Sequence, residues 1–188
     1  FGPAMHRLGL AYLADKRREA AISALQRAIE AGADRSASID LGKVYLGDEK
    51  YAEGLAHFEA ALRAHGQDAE TIRLVAAAQF HLQRHRMAAD AYRKAYQLDR
   101  QPRTLLSAAI ALHAGGAHQE ALTVLDALLP HASTVPEVGY QRALVLLDLK
   151  RPKPAAEAFR AYLAAAAGLE QEAARIKQAE ARLATLGD

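Results

Sequence analysis

Two histidines four residues apart are the first candidates for chemistry in this sequence. His81 and His85 have the spacing that places both imidazoles on one face of a helix, where they could bind a metal ion. No third ligand lies nearby in the sequence, and His85 falls in a predicted turn. Ordinary surface histidines explain this pair better, and His113 and His118 are equally uninformative. The sequence therefore predicts no metal site and no cofactor.

Other catalytic motifs are missing from the sequence. It has no glycine-rich phosphate loop, no nucleophile elbow and no cysteine, and none of its five serines stands beside a histidine and a carboxylate in a recognisable motif. We therefore expect a protein that is not an enzyme. No apolar run approaches the roughly 20 residues needed to span a bilayer, so we expect no transmembrane helix.

A repeated pattern of small and large residues organises the chain. Gly9 and Tyr12 recur as Gly42 and Tyr45, an interval of 33 residues. Weaker copies follow, and their small position is held by Ala76, Ala109 and Ala143. A small residue lets a neighbouring helix backbone approach closely, and an aromatic ring fills the gap beside it. Each copy is therefore predicted to be a helical hairpin.

The composition supports an all-helical chain, because alanine makes up about a quarter of it and proline falls mainly near predicted helix ends. A capping helix is predicted over 169–188, with Leu169, Ala173, Ile176, Leu183 and Leu186 on its apolar face. The hairpin helices are predicted at 3–14 and 18–31, 36–47 and 51–64, 70–82 and 86–98, 103–114 and 118–129, and 137–148 and 153–166.

The pattern resembles the tetratricopeptide repeat family over roughly residues 2 to 169. The resemblance implies an all-α, right-handed superhelical solenoid of about five hairpins, forming one continuous array over 1–168 before the cap. Helix A, the first helix of each hairpin, lacks the family's early tryptophan. The expected hairpins span about 2–35, 36–69, 70–102, 103–135 and 136–168.

In this family helix A of each hairpin lines a concave groove, so the resemblance implies a partner-binding surface there. Leu13, Leu46, Phe80 and Leu147 occupy equivalent positions and would form an apolar stripe suited to an amphipathic or extended segment. The alternative is that these side chains pack against neighbouring helices. The expected groove residues are His6, Leu10, Leu13, Ile39, Lys43, Leu46, Arg73, Ala77, Phe80, His81, Leu106, Ile110, His113, Tyr140, Leu144, Leu147 and Asp148.

One binding mode of the family, a clamp for a terminal carboxylate, is not expected. The clamp uses lysine, arginine and asparagine, whereas the matching positions here hold His6, Leu10, Asp40, Glu70 and Leu74.

Basic residues gather in the turns from helix A to helix B of alternate hairpins. Such turns lie along one edge of a solenoid, so the clusters would form a basic ridge able to meet nucleic acid, an anionic membrane surface or an acidic partner. A net charge of only +2 and the absence of interleaved aromatic residues argue against it. The ridge residues are Lys16, Arg17, Arg18, Arg84, Arg86, Lys150, Arg151 and Lys153.

The sequence thus favours a non-enzymatic scaffold that binds a protein or peptide segment in the groove and helps to assemble a larger complex, with self-association through its ends as a further option. The runner-up is a polyanion-binding module that uses the basic ridge. The preference for alanine, and for arginine over lysine, suggests a bacterial source. We expect a soluble protein of the bacterial cytoplasm or periplasm. The chain starts within a helix-A pattern, which suggests an excerpt of a longer protein.

Overall fold

The computed structural model of the chain describes residues 1–32 and 35–186, and within these ranges helices are the only regular elements. Two short 3₁₀ turns, Leu129–His131 and Glu170–Glu172, flank the later helices. The α-helices are α1 (Gly2–Ala14), α2 (Arg18–Glu30), α3 (Arg35–Gly47), α4 (Tyr51–His65), α5 (Ala69–His81), α6 (His85–Asp99), α7 (Pro102–Ala114), α8 (His118–Leu128), α9 (Glu137–Asp148), α10 (Pro152–Ala166) and α11 (Ala173–Leu186).

The helical hairpins appear where the sequence predicted them, and the all-α fold class is confirmed. Every predicted hairpin helix has a counterpart whose first and last residues lie within about one residue of the predicted bounds. The chain divides into two compact units, Phe1–Leu98 and Asp99–Asp188, which we call unit 1 and unit 2. Unit 1 holds the hairpins α1–α2, α3–α4 and α5–α6; unit 2 holds α7–α8, α9–α10 and the final helix α11.

The turn from helix A to helix B is built in the same way in every hairpin. Each turn contains one residue with a left-handed backbone, whose φ lies between 59° and 77°. In the five hairpins these residues are Lys16, Glu49, Gln83, Gly116 and Lys150. The N–H groups of the left-handed residue and of the next one donate back to the last turn of helix A. In the first hairpin, Lys16 N–H donates to the Leu13 carbonyl at 3.0 Å and Arg17 N–H donates to the Tyr12 carbonyl at 2.8 Å. This is the Schellman arrangement, which satisfies carbonyls that a helix end leaves unpaired. It fixes the position of each helix B relative to its helix A.

In unit 1 the small and large residues meet as the sequence predicted. Gly42 of α3 faces the ring of Phe58 of α4, and a Cβ placed on Gly42 would lie 2.5 Å from Phe58 Cε1. Gly9 of α1 faces Leu25 of α2 in the same manner, since a Cβ there would lie 2.8 Å from Leu25 Cγ. Phe58 and Leu25 are completely buried. The glycines therefore allow the close helix approach on which this core depends.

The fifth hairpin of the chain, α9–α10 in unit 2, has an aromatic core. Tyr162 stands where the repeat pattern calls for a small residue, and the structure accommodates it with Gly139. A Cβ on Gly139 would lie 3.2 Å from Tyr162 Cβ. Tyr140 packs against both Tyr162 and Phe159, with ring centroids 5.4 and 6.0 Å away. The exchange of small and large positions between α9 and α10 thus preserves close packing.

The final helix differs from the predicted cap in its start and in its buried face. It begins at Ala173, not at 169, because Gly168 has a φ of 78° and the 3₁₀ turn Glu170–Glu172 follows it. Ala173, predicted to be apolar and covered, is exposed, whereas Ala179 is fully buried. Leu169, Ile176, Leu183 and Leu186 are half-buried. α11 packs on α10.

Buried polar contacts attach α11 to the fifth hairpin. Tyr162 Oη donates to Glu172 Oε2 at 2.9 Å, and Arg175 Nη1 donates to Glu172 Oε1 at 3.0 Å. Arg175 Nη2 also pairs with Glu137 Oε1 at 2.9 Å. Burial, followed by the Glu172 carboxylate, raises the pKa of Tyr162 well above its usual value, so its hydroxyl stays protonated and donates. Hydrophobic periodicity alone does not reveal these contacts.

Asp68 caps the N-terminus of α5, and its loss should destabilise the protein in a pH-dependent way. Its Oδ1 accepts from the Thr71 N–H at 2.9 Å, and Arg35 pairs with its other oxygen. Partial burial raises the pKa of Asp68, but the Thr71 and Arg35 contacts outweigh it and lower the pKa below 3.8. A lowered folded pKa stabilises the protein above the unfolded value, and this stabilisation disappears as pH falls through the folded pKa.

We therefore expect Asp68→Ala to lower the free energy of unfolding at pH 7 by about 1 kcal/mol, the usual value of an N-cap. The difference from wild type should shrink below the unfolded pKa of 3.8. Urea unfolding at pH 7 and at about pH 3 measures both values. An equal difference at the two pH values would contradict the assigned ionisation.

Candidate binding surface

The expected groove residues of unit 1 lie on α1, α3 and α5, the three helices A of that unit. Leu10, Lys43 and Ala77 occupy equivalent positions on successive helices; Leu10 is 41% exposed, Lys43 is exposed and Ala77 is half-buried. These positions form a row of accessible side chains of mixed character. We call the following residues the helix-A face of unit 1: His6, Leu10, Lys43, Arg73, Ala77, Phe80 and His81.

Several apolar residues expected in the groove of unit 1 pack inward instead. Ile39 is only 8% exposed and belongs to a core cluster with Leu55 and Phe58. Leu46 is half-buried against the same cluster, and Leu13 is half-buried against a second cluster that includes Leu25. These side chains fill the space between each helix A and the helices beside it. For Leu13 and Leu46 the structure thus favours the alternative interpretation, in which these side chains pack against neighbouring helices.

Polar contacts join neighbouring helices A across unit 1. His6 Nε2 lies 2.7 Å from Asp40 Oδ2, which connects α1 to α3. Lys43 Nζ donates to Glu70 Oε1 at 3.2 Å, which connects α3 to α5. Asp40 and Glu70 lie at the positions that match the family's carboxylate clamp, so this surface carries acidic groups where the clamp would carry basic or amide groups. Each pair bridges successive hairpins, so local sequence patterns do not reveal it.

The histidine pair of α5 and α6 takes part in ring contacts. His81 stacks on Tyr51 with centroids 4.5 Å apart, and His85 meets Phe80 edge-on at 5.2 Å. His85 Nε2 also lies within hydrogen-bond distance of Gln83 Oε1, at 3.0 Å. Among the residues that the structure describes, neither histidine belongs to a group of three possible metal ligands. The i, i+4 spacing thus produces aromatic contacts here.

In unit 2 the expected groove residues lie on α7 and α9. For two of them, the expectation that they line an accessible groove is wrong. Leu106 and Tyr140 are buried, the latter with its hydroxyl donating to Gln178 Oε1 of α11 at 2.7 Å. Both side chains therefore belong to the packed interior. The remaining positions are accessible to different degrees: Ile110, His113, Leu144 and Leu147 are half-buried, and Asp148 is exposed.

Two histidines and one aspartate converge in unit 2. His113 Nε2 lies 2.6 Å from Asp148 Oδ2, and the His113 and His118 rings meet edge-on with centroids 5.3 Å apart. The hydrogen bond from His113 lowers the pKa of Asp148; burial opposes this, and the charges of His113, His118 and Lys150 add to the lowering. We call these three residues, His113, His118 and Asp148, the His–Asp cluster. Sequence reasoning missed it because Asp148 belongs to the next hairpin.

Two of the basic turn residues of unit 1 are engaged within the protein. The Arg17 guanidinium lies over the Tyr12 ring, 4.6 Å from its centroid. Arg18 Nε pairs with Asp48 Oδ1 at 2.7 Å, and Arg18 Nη2 donates to the Val44 carbonyl at 2.5 Å. Arg18 therefore links helix B of the first hairpin to α3 and is not a free member of a ridge. The remaining ridge residues are exposed in their own units: Lys16, Arg84 and Arg86 in unit 1, and Lys150, Arg151 and Lys153 in unit 2.

Comparison with known proteins identifies the repeat. Residues 2–32, the first hairpin, match the family model described as tetratricopeptide repeat. The solved structure of MamA superimposes with a TM-score of 0.80 at 16% identity, over 92% of this chain and 93% of that one. The first hairpin therefore matches the tetratricopeptide repeat in sequence, and the whole chain shares the fold of MamA. The resemblance inferred from the glycine and aromatic pattern is thereby confirmed. No curated protein sequence matches the chain.

Two solved structures named as TPR proteins show the same fold. YrrB, described as a TPR protein with an unusual peptide-binding site, has a TM-score of 0.75 at 18% identity, over 93% of this chain and 90% of that one. TTC0263, a thermophilic TPR protein of Thermus thermophilus, has a TM-score of 0.63 at 18% identity, over 96% and 100% of the two chains. Within the described residues, no helix is long and apolar enough to cross a membrane.

Proposed function

We propose that this protein is a non-enzymatic scaffold that binds a protein or peptide segment on the helix-A face of unit 1. The observation that carries the proposal is the row formed by Leu10, Lys43 and Ala77, which stays accessible while neighbouring positions such as Ile39 are buried. A row at equivalent positions of successive hairpins suits a ligand that runs from one hairpin to the next.

The chemistry of this face favours a segment that carries both apolar and charged side chains. Leu10 and the half-buried Phe80 offer apolar contact, whereas Lys43 and Glu70 form an exposed ion pair. An exposed pair contributes only about 0 to 1 kcal/mol. A carboxylate of the ligand can therefore replace Glu70 beside Lys43 at small cost, while a basic group can meet Glu70.

Relatives by fold support an interaction role by analogy. YrrB is named for a peptide-binding site, and the hetero-tetramer Cut9–Hcn1 contains a chain that covers all of this protein at 17% identity, with 36% of its own length matched. A shared fold does not transfer a partner, so the proposal depends on the residues of this face. Participation in a larger assembly, self-association and a bacterial cytoplasmic or periplasmic location stay predictions.

The basic ridge is the weaker candidate for a binding surface. In unit 1, Arg17 and Arg18 already contact Tyr12 and Asp48, so two of its cations are committed to internal contacts. Polyanion binding would weaken steeply as salt rises, because it depends on the release of counterions. Binding on the helix-A face should depend far less on salt, since apolar contact contributes much of it.

The proposal is tested by selecting peptides from a random phage-displayed library and titrating the best one into purified variants. We expect Leu10→Glu and Lys43→Glu each to weaken binding at least about tenfold, a loss of about 1.4 kcal/mol. Met87→Glu is the matched control, because Met87 is 53% exposed on α6, a helix B. Leu46→Glu is unsuitable, since Leu46 packs on the core.

The control and the test variants must unfold at the same urea concentration as wild type. If folded Leu10→Glu and Lys43→Glu bind the peptide as tightly as wild type, the helix-A face is not the binding surface. Selective loss in a variant of Arg84 and Arg86, together with steep salt dependence, would favour the basic ridge instead.

A further inference from the structure

We propose that the His–Asp cluster of His113, His118 and Asp148 is a binding site for a divalent transition-metal ion, of which zinc fits best. One possible ligand atom from each of the three residues lies within 4.8 Å of the other two. Two imidazoles and one carboxylate are typical ligands of zinc and of neighbouring transition metals, whereas magnesium and calcium prefer oxygen ligands alone. The proposal is independent of the peptide-binding function.

The fold fixes the three ligands from separate elements. His113 lies one residue before the end of α7, His118 is the first residue of α8, and Asp148 is the last residue of α9. Between the histidines, Gly116 has a φ of 77° and its N–H donates to the His113 carbonyl at 2.9 Å. Because this turn is closed by hydrogen bonds, the two imidazoles keep a defined separation.

The ligand atoms of His113 and Asp148 must move apart for the cluster to accept an ion. Metal-to-ligand distances of about 2.0 to 2.2 Å place neighbouring ligands of a tetrahedral site about 3.4 Å apart. His113 Nε2 and Asp148 Oδ2 lie within hydrogen-bond distance, at 2.6 Å, and a bound cation would replace this hydrogen bond while moving the two atoms apart. The Asp148 side chain is 53% exposed, so it can make this movement and leave a position for water.

His118 is available as the third ligand. Its Nδ1 is buried and has no hydrogen-bond partner among the described protein atoms. No hydrogen bond at that nitrogen therefore fixes the tautomer of the ring, and coordination by either nitrogen disturbs no such contact. The Asp148 carboxylate offsets part of the charge of a divalent ion, which two histidines alone would not do.

The third hairpin provides an internal comparison. His85 begins α6 as His118 begins α8, and its Nδ1 is likewise buried without a partner. Phe80 stands in the place of His113, and the ring contacts have matching geometry: 5.2 Å and 65° for Phe80–His85, 5.3 Å and 68° for His113–His118. The two ring contacts have the same geometry, but only the His113–His118 contact has a nitrogen ligand on both rings. A buried Nδ1 without a partner occurs in both hairpins, so the presence of His113 and Asp148 is what distinguishes the His–Asp cluster.

The test is calorimetric titration of the chelator-treated protein with zinc chloride, accompanied by the visible absorption spectrum of the cobalt(II) form. We expect one ion per chain, with cobalt bands that report nitrogen and oxygen ligands. His113→Phe and Asp148→Asn should each weaken zinc binding at least about tenfold, a loss of about 1.4 kcal/mol. His113→Phe copies the Phe80–His85 contact, so it should preserve the fold.

His85→Ala is the matched control and should bind zinc as wild type does. If His113→Phe unfolds, Asp148→Asn decides the question, because Asp148 lies largely in solvent. Zinc binding that is equal in wild type, His113→Phe and Asp148→Asn would overturn the proposal, as would binding lost only in His85→Ala. A failure of the zinc proposal leaves the peptide-binding proposal unaffected, because peptide binding is tested with variants of Leu10 and Lys43.

Discussion

Replacing Gly42 with alanine should lower the free energy of unfolding by about 2 kcal/mol, although alanine favours helix. The added Cβ would lie 2.5 Å from Cε1 and 2.9 Å from Cδ1 of Phe58, whose ring is completely buried. Overpacking of a dense core costs about 1 to 3 kcal/mol. We expect the upper end here, reduced by about 1 kcal/mol from the better helix propensity of alanine.

Gly47→Ala is the control for this prediction, since it makes the same change in the same helix. A Cβ on Gly47 would meet only Arg18 Nη2 at 3.4 Å, and the arginine side chain can move. Urea unfolding of both variants should show Gly42→Ala clearly less stable than wild type and Gly47→Ala unchanged or slightly more stable. Equal stabilities of the two variants would mean that α3 and α4 do not depend on this close approach.

Replacing Glu172 with alanine should cost about 2 kcal/mol, because its carboxylate attaches α11 to the fifth hairpin. Glu172 is buried and accepts from Tyr162 Oη at 2.9 Å and from Arg175 Nη1 at 3.0 Å. Its removal leaves the Tyr162 hydroxyl buried without its acceptor, which costs about 1 to 3 kcal/mol. Arg175 keeps its pair with Glu137 at 2.9 Å, which limits the loss on its side.

Hydrogen exchange of α11 is the measurement that separates this loss from a general loss of stability. We expect amides of α11 to exchange faster in Glu172→Ala, with a smaller change in α7. Glu170→Ala is the control, because Glu170 lies exposed in the same 3₁₀ turn. Protection of α11 that is unaltered in Glu172→Ala would show that apolar contact alone holds this helix.

The sequence predicted the hairpins well because their determinants are local or repeat at a fixed interval. Glycines at 9 and 42 marked the close approaches, and prolines such as Pro102, the first residue of α7, lay near predicted helix ends. The small-and-large pattern survived even in the fifth hairpin, where Gly139 compensates for Tyr162. These features depend on neighbours within one hairpin.

The binding surfaces were harder to predict because exposure depends on the neighbouring hairpin. Ile39, Leu106 and Tyr140 match groove positions of the repeat, yet helices packed beside them bury their side chains. The His–Asp cluster needs Asp148, which comes from the hairpin after that of His113. The sequence contains each of these residues, but only the packing of the two hairpins brings them together.

The most direct test of the scaffold proposal is a nuclear magnetic resonance titration of the isotope-labelled protein with a peptide selected for binding. The account predicts that the largest amide shifts fall on α1, α3 and α5, around Leu10, Lys43 and Ala77, with smaller changes on α2, α4 and α6. Shifts concentrated on α2, α4 and α6, or on the basic turns near Lys16 and Arg84, would contradict binding on the helix-A face.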